Sequence, residues 1–257
     1  MTDLDDAHAA MTAAPEDDAA RLRFYERLAD TELFMLLAGE TEGDQVEPEL
    51  FDVEDQRFVL VFDREERLSK FVGRVAPYAG LAGRDLVTML AGQGIGLALN
   101  LEVAPSAMLI PAEAVDWLVQ TLSHGPDQTE ARLREIMVPH VPEAVVASLD
   151  RKLAIAGGRA RSAYLAAAAY EDGTKGHVLV FIDSLEGAEQ ALASAASEAL
   201  TFSGIEAGVM DVMFARASDP LAAHLAKVGL RFDLPEPVAP AGPAAPGMDP
   251  EKPPRLR

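Results

Sequence analysis

The chain has 257 residues, of which 49% are hydrophobic and 25% are charged, and its formal net charge is -20. This length suits one large domain or two small ones, and the composition is that of a soluble globular protein. The charge excludes a nucleic-acid partner and an anionic membrane, because both require clustered Lys and Arg. The absence of cysteine excludes disulfides, thiolate metal sites and thiol nucleophiles.

The two ends of the chain differ in composition from its middle. Residues 1–15 begin MTDLDDAHAA, which is not a secretory signal because no basic segment precedes an apolar one. They show no apolar periodicity and are predicted to be a disordered arm. Residues 235–257 repeat proline with alanine and glycine, so we predict a disordered tail, either a solvated terminus or a docking ligand. No apolar run approaches the ~20 residues of a membrane span, and a cytoplasmic location is expected.

Residues 16–122 are predicted to be a first α+β domain. Helical spacing of apolar residues predicts helices, and short apolar runs predict strands. The predicted elements, in chain order, are a helix at 17–29, strands at 32–37 and 57–62, helices at 64–72 and 84–91, strands at 95–101 and 107–110, and a helix at 112–122. These elements indicate a sheet of about four strands with packed helices.

Residues 123–135 are polar and contain Gly-Pro, so they are predicted to be a linker. Residues 136–234 are predicted to be a second small α+β domain, and Asp172-Gly173 indicates a hairpin within it. The other predicted elements are helices at 143–156, about 185–202 and 220–228, and strands at 161–170, 177–183, 207–217 and 230–234. The fold class is therefore α+β, with two mixed domains.

The glycines Gly92, Gly94 and Gly96 are a candidate phosphate-binding loop. A dinucleotide-binding loop reads G-x-G-x-x-G between a strand and a following helix. Here Leu97 stands where the third glycine belongs, and the helix precedes the strand. The carbonyl end of a helix repels phosphate. We therefore interpret these glycines as a helix cap and a tight turn into the next strand.

Two Asp–Glu pairs stand at the ends of predicted strands. Asp63 with Glu66, and Asp183 with Glu186, have the spacing of helix-capping boxes. The alternative is a carboxylate cluster that binds a metal or does acid–base work. The five histidines are scattered without zinc-ligand spacing, and no nucleophile elbow or P-loop occurs. We predict no catalytic residue, cofactor or metal, and expect that the chain is not an enzyme.

Two further positions stand out. Trp117 lies opposite the apolar face of its predicted helix, where it either is covered by the linker or second domain, or contacts a partner protein. Asp211 interrupts an apolar strand between Met210 and Val212. Its carboxylate is expected either on a half-solvated sheet face or inside a pocket.

The order of "LFMLL", "RFVLVFDREERLSKF", "GRDLVTMLAGQGIGLALN" and "LIPAEAVDWL" resembles the N-terminal domain of the SseB (enhanced serine sensitivity) family. The segments "SAYLAAAAYEDGTKGHVLVFID" and "VMDVMFARASDPLAAHLAKVGLRF" resemble that family's C-terminal domain. Together they cover about residues 18–234. The resemblance implies two small α+β domains, and the family brings no established active site to transfer. Its association with type III secretion has no counterpart in these residues.

Three hypotheses follow. The first, which the resemblance implies, is a non-catalytic protein that binds a partner protein, with Trp117, Tyr78 and Asn100 as candidate contacts. The second is a small-molecule sensor, for an amino acid, with a cleft between the domains. In it Asp63 or Asp183 meets an ammonium group, and Asp211 is a further candidate ligand. The third is an enzyme with a dispersed site.

Overall fold

The computed structural model of the chain describes residues 1–39, 46–123, 132–204 and 210–234. It is an α+β arrangement of two units, each built on one mixed sheet. Residues 1–123 are called the first unit, and residues 132–234 the second unit. In the described ranges, no helix combines the length and the apolar character that crossing a membrane requires.

The first unit has a six-stranded sheet. Its helices are α1 (Asp3–Ala13), α2 (Asp18–Asp30), α3 (Glu65–Val72), α4 (Gly83–Leu90) and α5 (Ala112–Ser123). Its strands are β1 (Glu32–Leu36), β2 (Leu50–Val53), β3 (Gln56–Phe62), β4 (Tyr78–Ala82), β5 (Ile95–Leu99) and β6 (Met108–Ile110). The strand order is β4-β1-β3-β5-β6, and β2 pairs with β3.

Both faces of this sheet are buried. Alternate residues of β3 point to opposite sides of the sheet, and each set enters a different core. Val59 and Val61 join a core with apolar side chains of α1, α2, α4 and α5, while Phe58, Leu60 and Phe62 join a second core with α3. The pair β3–β5 is parallel and the other strand pairs are antiparallel. The carboxyl ends of β3 and β5 therefore meet at one edge of the sheet.

The second unit has a five-stranded sheet. Its strands are β7 (Leu133–Met137), β8 (Ser162–Tyr170), β9 (Lys175–Ile182), β10 (Met210–Ala215) and β11 (Leu230–Asp233), and its helices are α6 (Glu143–Ile155), α7 (Glu189–Ser203) and α8 (Pro220–Val228). The order is β10-β9-β8-β11, with β7 paired to β8 and β9–β10 parallel. Core residues of α6 and α7 cover one face, and those of α8 cover the other.

The prediction of a disordered arm at residues 1–15 is wrong, because Asp3–Ala13 forms α1. Thr2 caps this helix, and its side chain and that of Asp5 form a reciprocal capping box. Leu4 is buried in the core of the first unit. The helix is stabilised by these tertiary contacts more than by its own apolar periodicity, which is why the periodicity did not indicate it.

Both predicted capping boxes are also wrong. The N-cap of α3 is Arg64, and that of α7 is Ala188, neither of which makes a side-chain cap hydrogen bond. The helix predicted from about residue 185 begins only at Glu189. Asp63 and Asp183 instead follow strands, and their carboxylates accept hydrogen bonds from groups outside the following helix cap.

The sheets are larger than the predicted four strands, because β2, β4 and β7 were not expected as strands. β2 and β3 form a hairpin whose turn residues, Glu54 and Asp55, both have positive φ. β7 begins at Leu133, inside the predicted linker. The rest of the linker prediction, at residues 124–131, and the predicted tail at 235–257 lie outside the described residues.

The turn predictions at glycines are confirmed. β8 and β9 form the hairpin expected at Asp172-Gly173, with Gly173 at a φ of 88°. Gly92 and Gly94 have φ of 72° and 66° in the turn between α4 and β5. Gly96 lies within β5, where a Cβ atom would come within 2.3 Å of the Ile110 carbonyl oxygen. These glycines form a turn and a close strand contact.

Candidate functional site

The main cluster of polar side chains in the first unit lies where β3 and β5 end. Asp63 follows β3, and Asn100 follows β5 at a φ of 48°. The backbone N–H of Asp63 donates to Asn100 Oδ1 at 3.1 Å, and Asn100 Nδ2 donates to Ser106 Oγ at 2.9 Å. This is the edge at which open sheets with parallel strands bind their ligands.

Helix α1 fills this edge with its own side chains. The Asp5 carboxylate accepts hydrogen bonds from Ser106 Oγ at 2.6 Å and from Arg67 Nη1 at 3.0 Å. Arg67 also donates to Asp63 Oδ1 at 2.8 Å, and Thr2 Oγ1 donates to Asp63 Oδ2 at 2.6 Å. We call these residues the strand-end site; its members are Thr2, Asp5, Asp63, Arg67, Asn100 and Ser106.

The charges of the strand-end site are set by these hydrogen bonds. Burial raises the pKa of Asp5, but the hydrogen bonds from Arg67, Ser106 and Thr2 outweigh it and hold the pKa well below its usual range. The hydrogen bond to Asp5 in turn raises the pKa of the Arg67 guanidinium. Two carboxylates therefore share one guanidinium, and the site's polar groups satisfy one another.

This arrangement changes the interpretation of two candidates. Asn100 is fully buried, so its prediction as a surface contact is wrong: its amide instead connects two loops of the first unit. Asp63 is also buried, with its carboxylate engaged by Arg67 and Thr2. Asp5, Arg67 and Ser106 were not identified from the sequence. The spacing of Thr2 and Asp5, typical of a capping box, was the available signal.

The other two candidate carboxylates lie in the second unit. Asp183 follows β9 with a φ of 50°, and its Oδ1 accepts from the backbone N–H of Ala217 at 2.9 Å. Asp211 is half-buried on β10 and accepts a hydrogen bond from the Tyr170 hydroxyl on β8. Burial and this contact raise the pKa of Tyr170. No hydrogen bond or ion pair joins Asp183 or Asp211 to Asp63, which belongs to the other sheet.

Two aromatic candidates lie on the surface of the first unit. Trp117 on α5 is 39% exposed, and its ring meets that of Tyr25 on α2 edge-to-face at 5.2 Å. Tyr78 on β4 is exposed too, with an edge-to-face contact to Phe34 at 5.8 Å. A hydrogen bond with Glu65 raises the pKa of Tyr78. Within the described ranges, the Trp117 ring contacts that of Tyr25 in its own unit and no ring of the second unit.

A second polar cluster joins the two units. Lys152 on α6 is buried and donates to Asp30 of α2 at 2.6 Å and to Glu198 of α7 at 2.9 Å. Arg84 on α4 binds the same two carboxylates, at 2.6 Å and 3.1 Å. Glu26 on α2 lies 3.9 Å from the Lys152 Nζ. We call these five residues the junction network.

Apolar contacts accompany the junction network. Phe202 of α7 is fully buried in the core of the first unit. A Cβ atom on Gly204, at a φ of 67°, would lie 2.5 Å from that of Ala19 on α2. Only glycine allows this close approach. No cluster of His, Cys, Asp and Glu able to hold a metal ion occurs in the described part of the chain.

Residues 5–117 match the family model described as the SseB protein N-terminal domain. The match runs from Asp5 in α1 to Trp117 in α5, so it includes the helix that fills the strand-end site. Residues 5–117 therefore form an SseB N-terminal domain. The match does not reach the second unit of the chain, and the resemblance of that unit to the family's C-terminal domain stays a prediction. Searches of curated proteins and of solved structures found no match.

Proposed function

We propose that this protein acts in the cytoplasm by binding a partner protein and catalyses no reaction. The observation that carries the proposal is the strand-end site, where Asp5 of α1 takes up Arg67 and Ser106. Groups that would bind a substrate at this edge are paired within the chain. The polar residues there hold α1 on the sheet, which supports a structural role for them.

The surface proposed for the partner is centred on Trp117. Tryptophan is among the residues that contribute most to protein interfaces, because its ring buries a large area and loses little conformational freedom. Here the contact with Tyr25, which itself meets Phe24 at 5.4 Å, holds the ring in place. A ring that is already fixed in the free protein binds at a smaller entropic cost.

Tyr78 marks a second exposed surface of the same unit. It belongs to β4, which is an edge strand, and Val75 just before that strand is 99% exposed. Exposed apolar residues beside an unpaired strand edge favour association with another chain. This surface supports the same proposal but has less fixed aromatic area than Trp117.

The test captures proteins from the native cytoplasm on the wild type and on Trp117→Ala. A matched control is Phe214→Ala in the second unit, because Phe214 is 37% exposed and contacts one other ring, that of Phe181. A partner captured by wild type is then purified and titrated. We expect Trp117→Ala to weaken its binding by about tenfold or more, and Phe214→Ala to leave it unchanged. Equal affinities for wild type and Trp117→Ala would end the interface proposal.

A second candidate function, the sensing of a small ligand, has one observation in its favour. A cleft between the two units exists, and it is lined by arginines and by Asp3 and Asp6. Asp63 and Asp183 do not line it, so a ligand in this cleft would be held by other residues.

A further inference from the structure

A cleft of about 340 Å³ lies between α1 and α2 of the first unit and α6 of the second. Its charged lining residues are Asp3, Asp6, Arg23, Arg27 and Arg151, and alanines complete it. This volume is at the small end of the range for small-molecule sites, which is about 300–1,000 Å³. The cleft therefore suits a compact ligand.

Three arginines gather in this cleft, in a chain whose net charge is -20. Two of them have weak ion pairs: Arg23 lies 3.5 Å from Asp17, and Arg27 lies 4.0 Å from Glu26. Arg151 has no ion pair within 4.0 Å among the described residues. Its Nε is buried and has no hydrogen-bond acceptor in the same part of the chain.

The arginines of this cleft repel one another. Burial lowers the pKa of Arg151, and repulsion by Arg27 and then Arg23 lowers it further, while attraction by Glu26 and Asp150 offsets this only in part. An anion in the cleft, among the three arginines that line it, would reduce their repulsion.

We propose that this cleft binds a small oxyanion, a carboxylate or a phosphate group, with Arg151 as its main ligand and Arg23 and Arg27 as supporting ones. The guanidinium fork matches the two oxygens of such a group. Three arginines and two aspartates leave a single formal positive charge on the lining. A small ligand with one or two negative charges suits this lining better than a polyanion does. The proposal is independent of the protein-binding surface at Trp117.

The ligand would hold the two units together. Arg23 and Arg27 belong to α2 of the first unit, and Arg151 belongs to α6 of the second. An anion bound by both helices stabilises the folded state in which they are adjacent, by mass action. Binding therefore has a readout in thermal stability as well as in heat.

The experiment titrates the full chain with sodium acetate and, separately, with sodium phosphate, at an ionic strength held constant with sodium chloride. Isothermal titration and Tm are both recorded. We expect a saturable rise in Tm with at least one of the two anions. Arg151→Gln should weaken that binding by about tenfold or more, because charged hydrogen bonds contribute this much. Its Tm without ligand should not fall, since it removes a half-buried charge that two other arginines repel.

Arg159→Gln is the matched control, because Arg159 is exposed just beyond α6 and does not line the cleft. It should bind like wild type. Arg23→Gln, at a half-exposed position, is a second variant that should weaken binding if Arg151→Gln does not fold. A response to acetate alone assigns a carboxylate, and a response to phosphate alone assigns a phosphate group. If neither anion acts beyond chloride, or if the arginine variants respond like wild type, the orphaned donor is simply hydrated and the site is refuted.

Discussion

Glu26 on α2 is a buried side chain whose pKa is raised more by burial than it is lowered by the nearby cations. Its Oε1 accepts a hydrogen bond from Ser148 Oγ at 3.4 Å and lies 3.9 Å from Lys152 Nζ. Its Oε2 is buried and has no hydrogen-bond donor among the described residues. Burial raises the pKa of Glu26, and Lys152 and Arg27 only partly offset this. The folded protein therefore favours the protonated form of Glu26 more than the unfolded chain does.

The raised pKa of Glu26 determines in which direction the stability of the fold changes with pH. Because its pKa in the folded state lies above the unfolded value of 4.5, Glu26 stabilises the fold fully below pH 4.5, and this stabilisation is lost as the pH rises through the folded pKa. Glu26→Gln keeps an acceptor for Ser148 and removes the charge. We expect it to raise Tm at about pH 7.5, with a gain that shrinks toward pH 4.5.

Calorimetric melting of both proteins between these pH values checks this. Glu171→Gln, at an exposed residue of the β8–β9 hairpin, is the matched control and should show no such trend. A gain that is constant across the pH range would show that Glu26 is not the titrating group. A loss of Tm at about pH 7.5 would show that the charge of Glu26 stabilises the junction.

At the scale of elements, α1 depends on a few tertiary contacts. Isolated helices of 11 residues are marginal in water, and most of this one's side chains are alanine or polar. Leu4 packs in the core that includes Phe24, while Asp5 binds Arg67 and Ser106. Leu4 as the fully buried apolar anchor, with Ala7 and Met11 packed beside the core, and Asp5 as the charged anchor therefore fix the helix over the strand ends.

Leu4→Ala tests the apolar anchor. Removing a fully buried leucine side chain costs about 2–5 kcal/mol of the free energy of unfolding, through lost burial and the cavity left behind. We expect urea unfolding to report a loss in this range. Thr12→Ala, at an exposed residue of the same helix, should change the value by less than about 0.5 kcal/mol. Equal, small effects of the two substitutions would mean that α1 contributes little to the fold.

The sequence predicted those elements whose own pattern is strong. β3 and β5 are continuous apolar runs, and α5 has a clear apolar face, so each appeared within one or two residues of its observed bounds. β2 has an exposed pattern and a hairpin turn at Glu54-Asp55 without glycine, so no local signal indicated it. Exposed strands are stabilised by pairing with a neighbour, which a single segment does not encode.

The strand-end site shows the same limit. Asp63 and Asn100 were found because polar residues directly after buried strands are conspicuous. Asp5 and Ser106 bind each other across 101 positions of the chain, and nothing in the spacing of either predicts that contact. Arg67 carries no signal either, since charged residues on a surface helix are ordinary. The partners of a polar cluster follow from topology, which the sequence pattern leaves open.

At the scale of the whole molecule, the junction network joins the two units through buried charges. Glu26, Asp30 and Glu198 contribute three carboxylates, and Lys152 and Arg84 contribute two cations. The carboxylates and cations come from both units. Lys152 is the more buried cation and contacts all three carboxylates. The positive charge of Lys152 therefore offsets the repulsion among the three carboxylates.

Lys152→Met removes that charge and keeps most of the side-chain volume. Breaking a buried ion pair on one side leaves uncompensated charge, which costs about 3–5 kcal/mol, so we expect a loss of this size in urea unfolding. The fluorescence of the single tryptophan, Trp117, reports the first unit, and circular dichroism reports both. The two probes should coincide in wild type and separate in the variant, because the units lose their coupling. Lys227→Met, at an exposed site on α8, should leave both curves coincident. Coincident curves and unchanged stability in Lys152→Met would instead mean that Phe202 and the close approach at Gly204 hold the units together without the charges.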